Sequence, residues 1–319
     1  MASSGVVDVQ DHLVWKRTTV EGRAALYGLA GEGPPVVFVH GWALGSHSYK
    51  RALKRLVGLG WQVFAPALPG FGGTADLPGA RFSFTGYGDW LDSFLDAVGE
   101  VGPVVLVGHS FGGGVAIQFA HDHPGRVRSL VLLNSVGGSA WSAQGGRLRT
   151  LAERPLWDWG MRFPGEVLPL PRIARVLPAV MEDALPNAVR NPRGLWRVAN
   201  LVRRADLTPE LEELRRRRLP VVVVWAEGDR IIPRASFDAL CSAIGARGEV
   251  VPGTHSWLMA DPDAFGTVMM KALGVAKVAR ALEGAAVDSD GRSPSASSAP
   301  FAPSAPSTPS APSAPSAPS

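Results

Sequence analysis

Short runs of apolar and β-branched residues alternate with longer helical patterns along most of the chain. This alternation is typical of βαβ units, which build a mostly parallel sheet. Runs such as 36–39, 104–107 and 221–225 are apolar at every position, as expected of central strands that are covered on both faces. We therefore predict an α/β fold with a mostly parallel sheet of eight strands and helices on both of its faces. The predicted strands are Leu13–Thr19, Arg23–Gly28, Val36–Val39, Gln62–Ala65, Val104–Val107, Ser129–Leu133, Val221–Trp225 and Glu249–Val251.

Helical patterns occupy most of the intervals between these strands. The predicted helices are Ser48–Leu59, Thr85–Val98, Phe111–His121, Pro233–Ile244 and Pro262–Leu273. Residues 137–204 break the alternation, because they contain no clear strand, many Pro residues and four of the ten tryptophans. We interpret this stretch as a helical cap inserted after strand six, where it would lie over the carboxyl edge of the sheet as a lid on a ligand crevice. The alternative is that these helices pack on the periphery of the fold and do not cover a ligand crevice.

The cap divides the predicted α/β core into two parts, 1–136 and 205–283. Residues 284–319 are interpreted as a disordered tail, because from about Ser293 the sequence is almost wholly Ser, Pro and Ala. Proline removes hydrogen-bond donors, and Ser and Ala offer little surface to bury. We expect this tail to carry no chemistry.

Composition and charge exclude several classes of protein. The net charge of +4 is spread over 32 basic and 28 acidic residues, with no basic stretch interleaved with stacking aromatics, so nucleic acid is not an expected partner. The single cysteine, Cys241, rules out an intrachain disulfide and a cysteine metal cluster. The N-terminus lacks the pattern of a signal peptide, and the apolar runs are too short to span a membrane. These features predict a cytoplasmic protein without stable membrane insertion.

A Gly-x-Ser-x-Gly pattern at 108–112 carries the strongest chemical signal. It directly follows one predicted strand and directly precedes a predicted helix, and a tight strand-to-helix turn projects a serine hydroxyl out of the backbone only when its neighbours are small. The helix N-terminus behind it would favour developing negative charge. We therefore predict Ser110 as a catalytic nucleophile.

A serine hydroxyl needs a base and an acid from elsewhere in the chain. His255 follows the last predicted strand, at the same edge of the sheet as Ser110, and is the predicted base. Asp229 follows the strand at 221–225 and is the predicted acid, with Glu227 as the runner-up. The other strand end that could supply an acid, after Leu133, carries Asn134 and no carboxylate nearby.

The loop after the third strand reads His40-Gly41-Trp42. A second oxyanion donor normally arises at this point, so the backbone N–H groups of Trp42 and Phe111 are the predicted oxyanion hole. We interpret His40 as a structural residue that hydrogen-bonds this loop.

Four segments resemble signature segments of the α/β-hydrolase superfamily and occur in its order. The resemblance extends over about residues 14–275 and implies an eight-stranded sheet, a cap after the sixth strand and no cofactor or metal. The segments are Val36–Trp42, Leu68–Thr74, Gly108–Gly113 and Asp229–Pro233.

Within that superfamily, epoxide hydrolases and haloalkane dehalogenases use an Asp nucleophile, whereas position 110 is Ser. We expect a serine hydrolase that cleaves an ester or related acyl bond of an apolar small molecule through an acyl-enzyme, because the cap is rich in Trp, Leu and Pro. A carbon–carbon bond hydrolase of ring-cleavage diketones and a haloperoxidase-like perhydrolase are the alternatives within the fold. A lyase of the same fold or a non-catalytic ligand-binding protein would belong to another class. The expected partner is the small-molecule substrate, and the sequence leaves protein partners unknown.

Overall fold

An eight-stranded sheet forms the centre of the described chain, which comprises residues 12–138 and 170–274 of a computed structural model. Its order is β1-β2-β4-β3-β5-β6-β7-β8. The pairs β1–β2 and β2–β4 are antiparallel, and the others are parallel. The predicted mostly parallel sheet is confirmed. The strands are β1 Val14–Val20, β2 Arg23–Ala30, β3 Pro35–Val39, β4 Gln62–Pro66, β5 Val104–His109, β6 Val127–Leu133, β7 Val221–Ala226 and β8 Glu249–Val251.

The central strands are buried on both faces. Along β5, Val104 and Leu106 belong to one apolar cluster, whereas Val105 and Val107 belong to the cluster on the opposite face. This split follows from the two-residue repeat of a strand, which points successive side chains to opposite faces. Continuous apolar sequence in β3 and β5 therefore provides the inner wall of two cores at once.

Helices cover both faces of the sheet. The first core contains side chains of α2, α3, α5, α6 and α7, and the second contains side chains of α1, α8 and α9. The helices are α1 Lys50–Gly58, α2 Phe84–Ala97, α3 Phe111–Asp122, α4 Leu170–Arg190, α5 Pro192–Arg203, α6 Thr208–Arg216, α7 Arg234–Ile244, α8 Trp257–Ala260 and α9 262–274.

Local sequence accounts for several helix ends. The Ser83 hydroxyl accepts a hydrogen bond from the backbone N–H of Gly86 and so caps the start of α2. Asn191 caps α5 in the same way through the N–H of Gly194. Helix α7 ends at Gly245, whose φ of 69° lies in the left-handed region that glycine adopts without strain.

Several segments differ from the sequence prediction, including α6 and α8, which were not among the predicted helices. The predicted helix 48–59 begins as a 3₁₀ turn, Ser46–Tyr49, before α1 starts at Lys50. Helix α4 contains Pro178 and Pro186 within its 21 residues, although an internal proline removes one helical hydrogen bond. The sequence predicted a helical insertion here but gave no helix bounds.

The described part of the predicted insertion consists of α4 and α5 and contains no strand. Residues 139–169 of the insertion, with Trp141, Trp157 and Trp159, lie outside the described residues, as does the predicted tail 284–319. Within the described ranges, none of the helices combines the length and the apolar character needed to cross a bilayer.

The double burial of β5 generates a stability prediction. Val107→Ala should lower the free energy of unfolding by about 2–3 kcal/mol, because it removes two methyl groups from a close-packed site and leaves a cavity. Val101→Ala is the matched control, since Val101 is 75% exposed whereas Val107 is 0% exposed. The control should change stability by less than about 0.5 kcal/mol. Urea unfolding at neutral pH measures both, and equal values for the two variants would contradict the assigned burial.

Candidate active site

Ser110 occupies a sharp turn between the end of β5 and the start of α3. Its φ of 54° and ψ of −118° lie in a region that a residue with a side chain adopts only under constraint. The turn is held by two backbone hydrogen bonds, from the Ser110 N–H to the Leu133 carbonyl and from the Gly113 N–H to the Ser110 carbonyl, each 3.0 Å long. Strain at this one residue is therefore supported by the neighbouring strand β6 and by the first turn of α3.

Glycines beside Ser110 permit this close packing. A Cβ atom on Gly108 would lie 2.6 Å from the Gly112 carbonyl oxygen, and a Cβ atom on Gly112 would overlap the carbonyl oxygens of Val39 and His40. Real Cβ atoms do not approach backbone atoms so closely. The small residues that the sequence pattern supplied are thus required by the turn itself.

His255 and Asp229 are brought together by the ends of the last two strands. Asp229 lies in the turn after β7, and His255 lies between β8 and α8. The imidazole Nδ1 is 2.8 Å from Asp229 Oδ2, and both side chains are buried. A carboxylate can only accept here, so Nδ1 carries a proton, and Nε2 holds a lone pair whenever the ring is neutral. Ser110 and His255 line the same cavity.

The Asp229 carboxylate is surrounded by donors. Its Oδ1 accepts the backbone N–H groups of Ile231 at 2.7 Å and Ile232 at 2.9 Å, and its Oδ2 also accepts the side-chain amide of Asn134. Burial acts to raise the pKa of Asp229, but the charge of His255 and these hydrogen bonds outweigh it. The net effect lowers the pKa below its ordinary value. The carboxylate is therefore kept charged beside the imidazole.

Asn134 is a site residue that the sequence analysis passed over because it is not a carboxylate. It follows β6 with a φ of 45°, is fully buried, and donates its amide to Asp229. Its Oδ1 accepts a hydrogen bond of 2.9 Å from Trp257 Nε1. Its position at the carboxyl end of a strand next to β7 was the available signal, since such neighbouring strand ends meet at one edge of the sheet.

His40 has the structural role that was predicted for it. Its Nε2 accepts the backbone N–H of Leu68 at 2.8 Å, so its Nδ1–H donates to the Gly41 carbonyl, also at 2.8 Å. Complete burial lowers the pKa of His40 to about 4, against the smaller opposing effects of the Gly41 hydrogen bond and the Asp183 charge. A neutral imidazole thus joins two loops above the sheet.

A directional chain of hydrogen bonds connects the loop after β3 to the backbone of His255. The His255 carbonyl can only accept, so His109 Nε2–H donates to it at 3.0 Å and His109 Nδ1 is an acceptor. Tyr49 therefore donates its hydroxyl to His109 Nδ1 at 2.9 Å, and its oxygen accepts the Gly41 N–H at 3.2 Å. Burial, reinforced by the charge of His255, lowers the pKa of His109 to about 3.

The two predicted oxyanion donors lie at the ends of adjacent strands. Trp42 follows β3 and lines the cavity, with its ring Nε1 donating to the Leu195 carbonyl of α5 at 3.0 Å. Phe111 is the first residue of α3, and its buried ring packs edge-on against Tyr87. N–H groups in the first helical turn have no acceptor within the helix.

The cavity above these residues has a volume of about 220 Å³. Its polar lining side chains are Tyr49, His109, Ser110, His255 and Ser256, and the rest of the lining is glycine, aliphatic side chains and tryptophan. Those residues are Gly41, Trp42, Ala43, Leu44, Ala184, Val202, Ile231, Ile232 and Met259. Among the described ranges, no group of three or more His, Cys, Asp or Glu side chains has a spacing that would hold a metal ion.

His40 and His109 are buried and neutral, and we therefore predict that acid lowers the stability of the fold. In the unfolded chain each takes up a proton near pH 6.5, whereas the folded pKa values are about 4 and about 3. The unfolded state therefore binds more protons between these limits. The free energy of unfolding is therefore highest above about pH 6.5. It falls on acidification toward pH 4, by about 1.4 kcal/mol per pH unit for each histidine.

Urea unfolding at pH 7, 6 and 5 measures the slope of the free energy of unfolding against pH. His109→Gln should reduce the slope by about 1.4 kcal/mol per pH unit. The control is His12→Gln at an exposed position, which should leave the slope unchanged. An identical slope in the native chain and in His109→Gln would show that His109 does not stay neutral in the fold.

Comparisons with known proteins agree with this architecture. The sequence matches the alpha/beta hydrolase family over residues 36–268. A candidate non-heme haloperoxidase from Mycobacterium phage D29 is 29% identical over 264 residues, covering 76% of this chain and 88% of that protein. A candidate carbamate hydrolase from Escherichia coli O157:H7 is 29% identical over 251 residues, covering 76% of this chain and 92% of that protein.

Among solved structures, a bromoperoxidase from Bacillus anthracis is similar, with a TM-score of 0.67 and 18% identity, covering 82% of this chain and all of that one. At this identity the likeness shows the fold alone. The hydrolases among the relatives support an enzyme of the same type. Since the family match spans most of its length, the chain belongs to the alpha/beta hydrolase family.

Proposed function

We propose that the protein is a serine hydrolase that cleaves an ester or related acyl bond of an apolar small molecule through an acyl-enzyme. One observation carries this proposal. Ser110 and His255 line one cavity, while Asp229 lies 2.8 Å from the far nitrogen of the same imidazole. A strained serine, an oriented imidazole and a charged buried carboxylate are the parts that nucleophilic acyl transfer requires.

In the acylation step, Ser110 Oγ forms a bond to the substrate carbonyl carbon and its proton passes to His255 Nε2. The resulting imidazolium is stabilised by the Asp229 carboxylate, whose lowered pKa keeps it charged. The tetrahedral intermediate then collapses, the carbon–oxygen bond of the ester breaks, and His255 gives its proton to the departing alcohol.

Deacylation repeats this sequence with water. His255 Nε2 takes a proton from water as the water oxygen bonds to the acyl carbon, and the proton returns to Ser110 Oγ when the carboxylic acid leaves. Negative charge forms on the carbonyl oxygen in both steps. We propose that the backbone N–H groups of Trp42 and Phe111 stabilise that charge, aided by the N-terminus of α3.

The cavity lining favours a neutral, apolar acyl group. No Asp, Glu, Lys or Arg side chain is among the described residues that line the cavity, so a charged acyl group would lack a carboxylate, ammonium or guanidinium counter-ion there. A cavity of about 150 Å³ lined by aliphatic and aromatic side chains can hold benzene. The larger space here suits an aromatic ring or a short acyl chain. No step of this mechanism needs a metal or cofactor.

We propose that residues 137–204 form a cap between core segments 1–136 and 205–283. Support comes from α4 and α5, since Ala184 and Val202 line the same cavity as Ser110. The cap would then select substrates by shape. The assignment to the cytoplasm, like that of the tail 284–319, stays a prediction.

A perhydrolase is the second candidate, favoured by the relative that is named a haloperoxidase. It would use the same acyl-enzyme. Hydrogen peroxide would replace water in the second step and release a peracid, with the proton balance unchanged.

Ser110→Ala should lower kcat for p-nitrophenyl esters of short or aromatic acids by a factor of about 10⁴ or more, because the nucleophile is lost. Ser129→Ala is the matched control. Ser129 is likewise buried, but it lies in β6, and its hydroxyl has no hydrogen-bond partner among the described residues. The control should retain native kcat.

A series of acyl lengths, assayed with and without hydrogen peroxide, separates the candidates. Hydrolysis that depends on Ser110 and reaches its optimum with a short or aromatic acyl group supports the esterase. Peracid formation faster than hydrolysis identifies the perhydrolase. If the native chain binds such esters without turning them over, the protein is a binding protein and the proposal is wrong.

A further inference from the structure

We propose that Asp183 and Asn187 of α4 are positioning residues that hold the oxyanion loop, defined here as residues 41–48, in its active form. This inference rests on the proposed function, because the loop contains the proposed donor Trp42. Neither side chain lines the cavity. Both would act through the backbone of the loop.

Helix α4 presents a polar stripe to the interior. Asp183 and Asn187 are four residues apart and therefore lie on one helix face, and they are 9% and 4% exposed. Met181, Leu185 and Val189, on other positions of the helix, are 49%, 53% and 73% exposed. This inverts the usual arrangement of an amphipathic helix. Buried polar groups are costly unless they are hydrogen-bonded, so their partners explain their presence.

Asp183 binds both ends of one turn in the oxyanion loop. Its Oδ2 accepts the backbone N–H of Gly45 at 3.1 Å, the N–H of Ser48 at 2.8 Å and the Ser48 hydroxyl. The residue that precedes this turn is Gly45, which has no side chain to cap it. The carboxylate from α4 supplies the missing acceptor. A Cβ atom on Gly45 would lie 3.3 Å from that oxygen, so glycine allows this approach.

Asn187 binds the carbonyl of Ala43, the residue that follows the proposed donor Trp42. Its Nδ2 donates to the Ala43 carbonyl at 2.9 Å, and its Oδ1 accepts the N–H of Gly72 at 3.0 Å. Ala43 has a φ of 65°, a left-handed conformation that a residue with a Cβ atom rarely adopts. An external hydrogen bond is therefore needed to keep this conformation, and the preceding residue is Trp42.

The orientation of the Trp42 N–H follows from these contacts. Its direction depends on the backbone dihedrals of residues 41–43, and those dihedrals are fixed by bonds at Gly41 and Ala43. Transition-state stabilisation is sensitive to such geometry, because a donor displaced by about 1 Å loses most of its benefit. Losing one whole oxyanion donor costs a factor of about 10² to 10³ in kcat, so loosening one should cost about tenfold.

Asn187→Ala and the control Asn191→Ser together test this assignment. Asn191 follows α4 on the same stripe, bonds to Gly70 and Asp76 and caps α5 through the N–H of Gly194, and none of these hydrogen bonds reaches the oxyanion loop. Serine is as good an N-cap as asparagine, so Asn191→Ser removes the bonds to Gly70 and Asp76 but keeps α5 capped. Asn187→Ala should lower kcat about tenfold with KM changed less than about twofold. Its inhibition constant for an alkyl boronic acid, which mimics the tetrahedral intermediate, should rise by the same factor. Inhibition by the carboxylic acid product should not change, and Asn191→Ser should retain native values for all of these constants.

Asn187→Asp isolates the bond to Ala43. The carboxylate can still accept the Gly72 N–H but cannot donate to the Ala43 carbonyl, so this variant should be impaired at least as much as Asn187→Ala. It also keeps the experiment informative if the alanine variant fails to fold.

Equal losses in the Asn187 and Asn191 variants, or a rise in KM alone, would overturn the inference while leaving the proposed function intact. Native kcat in Asn187→Asp would do the same. Absence of any turnover by the native chain would instead overturn the proposed function, and this inference with it.

Discussion

The constrained turn at Ser110 determines where every other part of the site must lie. Its left-handed backbone raises one side chain at the end of β5, and the turn is closed by hydrogen bonds to Leu133 and Gly113. Such strain persists only when the surroundings compensate for it, and here the compensation comes from close packing of the glycines at the end of β5 and the start of α3. Residues that act together with Ser110 must therefore come from the loops that follow neighbouring strands, at the same carboxyl edge of the sheet.

Those partners are joined by hydrogen bonds whose direction can be assigned. Asn134 connects Asp229 to Trp257, and Tyr49 connects Gly41 to His109, which in turn donates to the His255 backbone. Because each donor named in these two chains of hydrogen bonds has an acceptor, the low dielectric of the interior strengthens the bonds instead of penalising them. The loops around the cavity are thereby fixed relative to the sheet. Preorganised dipoles of this kind are what acyl transfer needs, because they require no reorganisation when charge develops.

The sequence predicted the sheet well, since continuous apolar runs such as 36–39 and 104–107 are a local signal of buried strands. Ser110 was identifiable from its glycines and its place between strand and helix, and His255 and Asp229 from their places after strands. Their catalytic roles remain proposals. The contacts of Asp183 and Asn187 could not be predicted, because their partners in the oxyanion loop lie more than 130 residues away and leave no periodic pattern. Asn134 was missed for a related reason, since its role depends on which strand lies beside β6.

Intact-mass spectrometry after reaction with a fluorophosphonate tests the central claim most directly, because it detects an activated serine without any knowledge of the substrate. The account predicts one adduct per native chain, mapped by peptide analysis to Ser110, absent in Ser110→Ala and formed far more slowly in His255→Ala. Ser129→Ala should react at the native rate. An adduct on another residue, or no adduct in the native chain, would contradict the assignment of Ser110 as a nucleophile activated by His255.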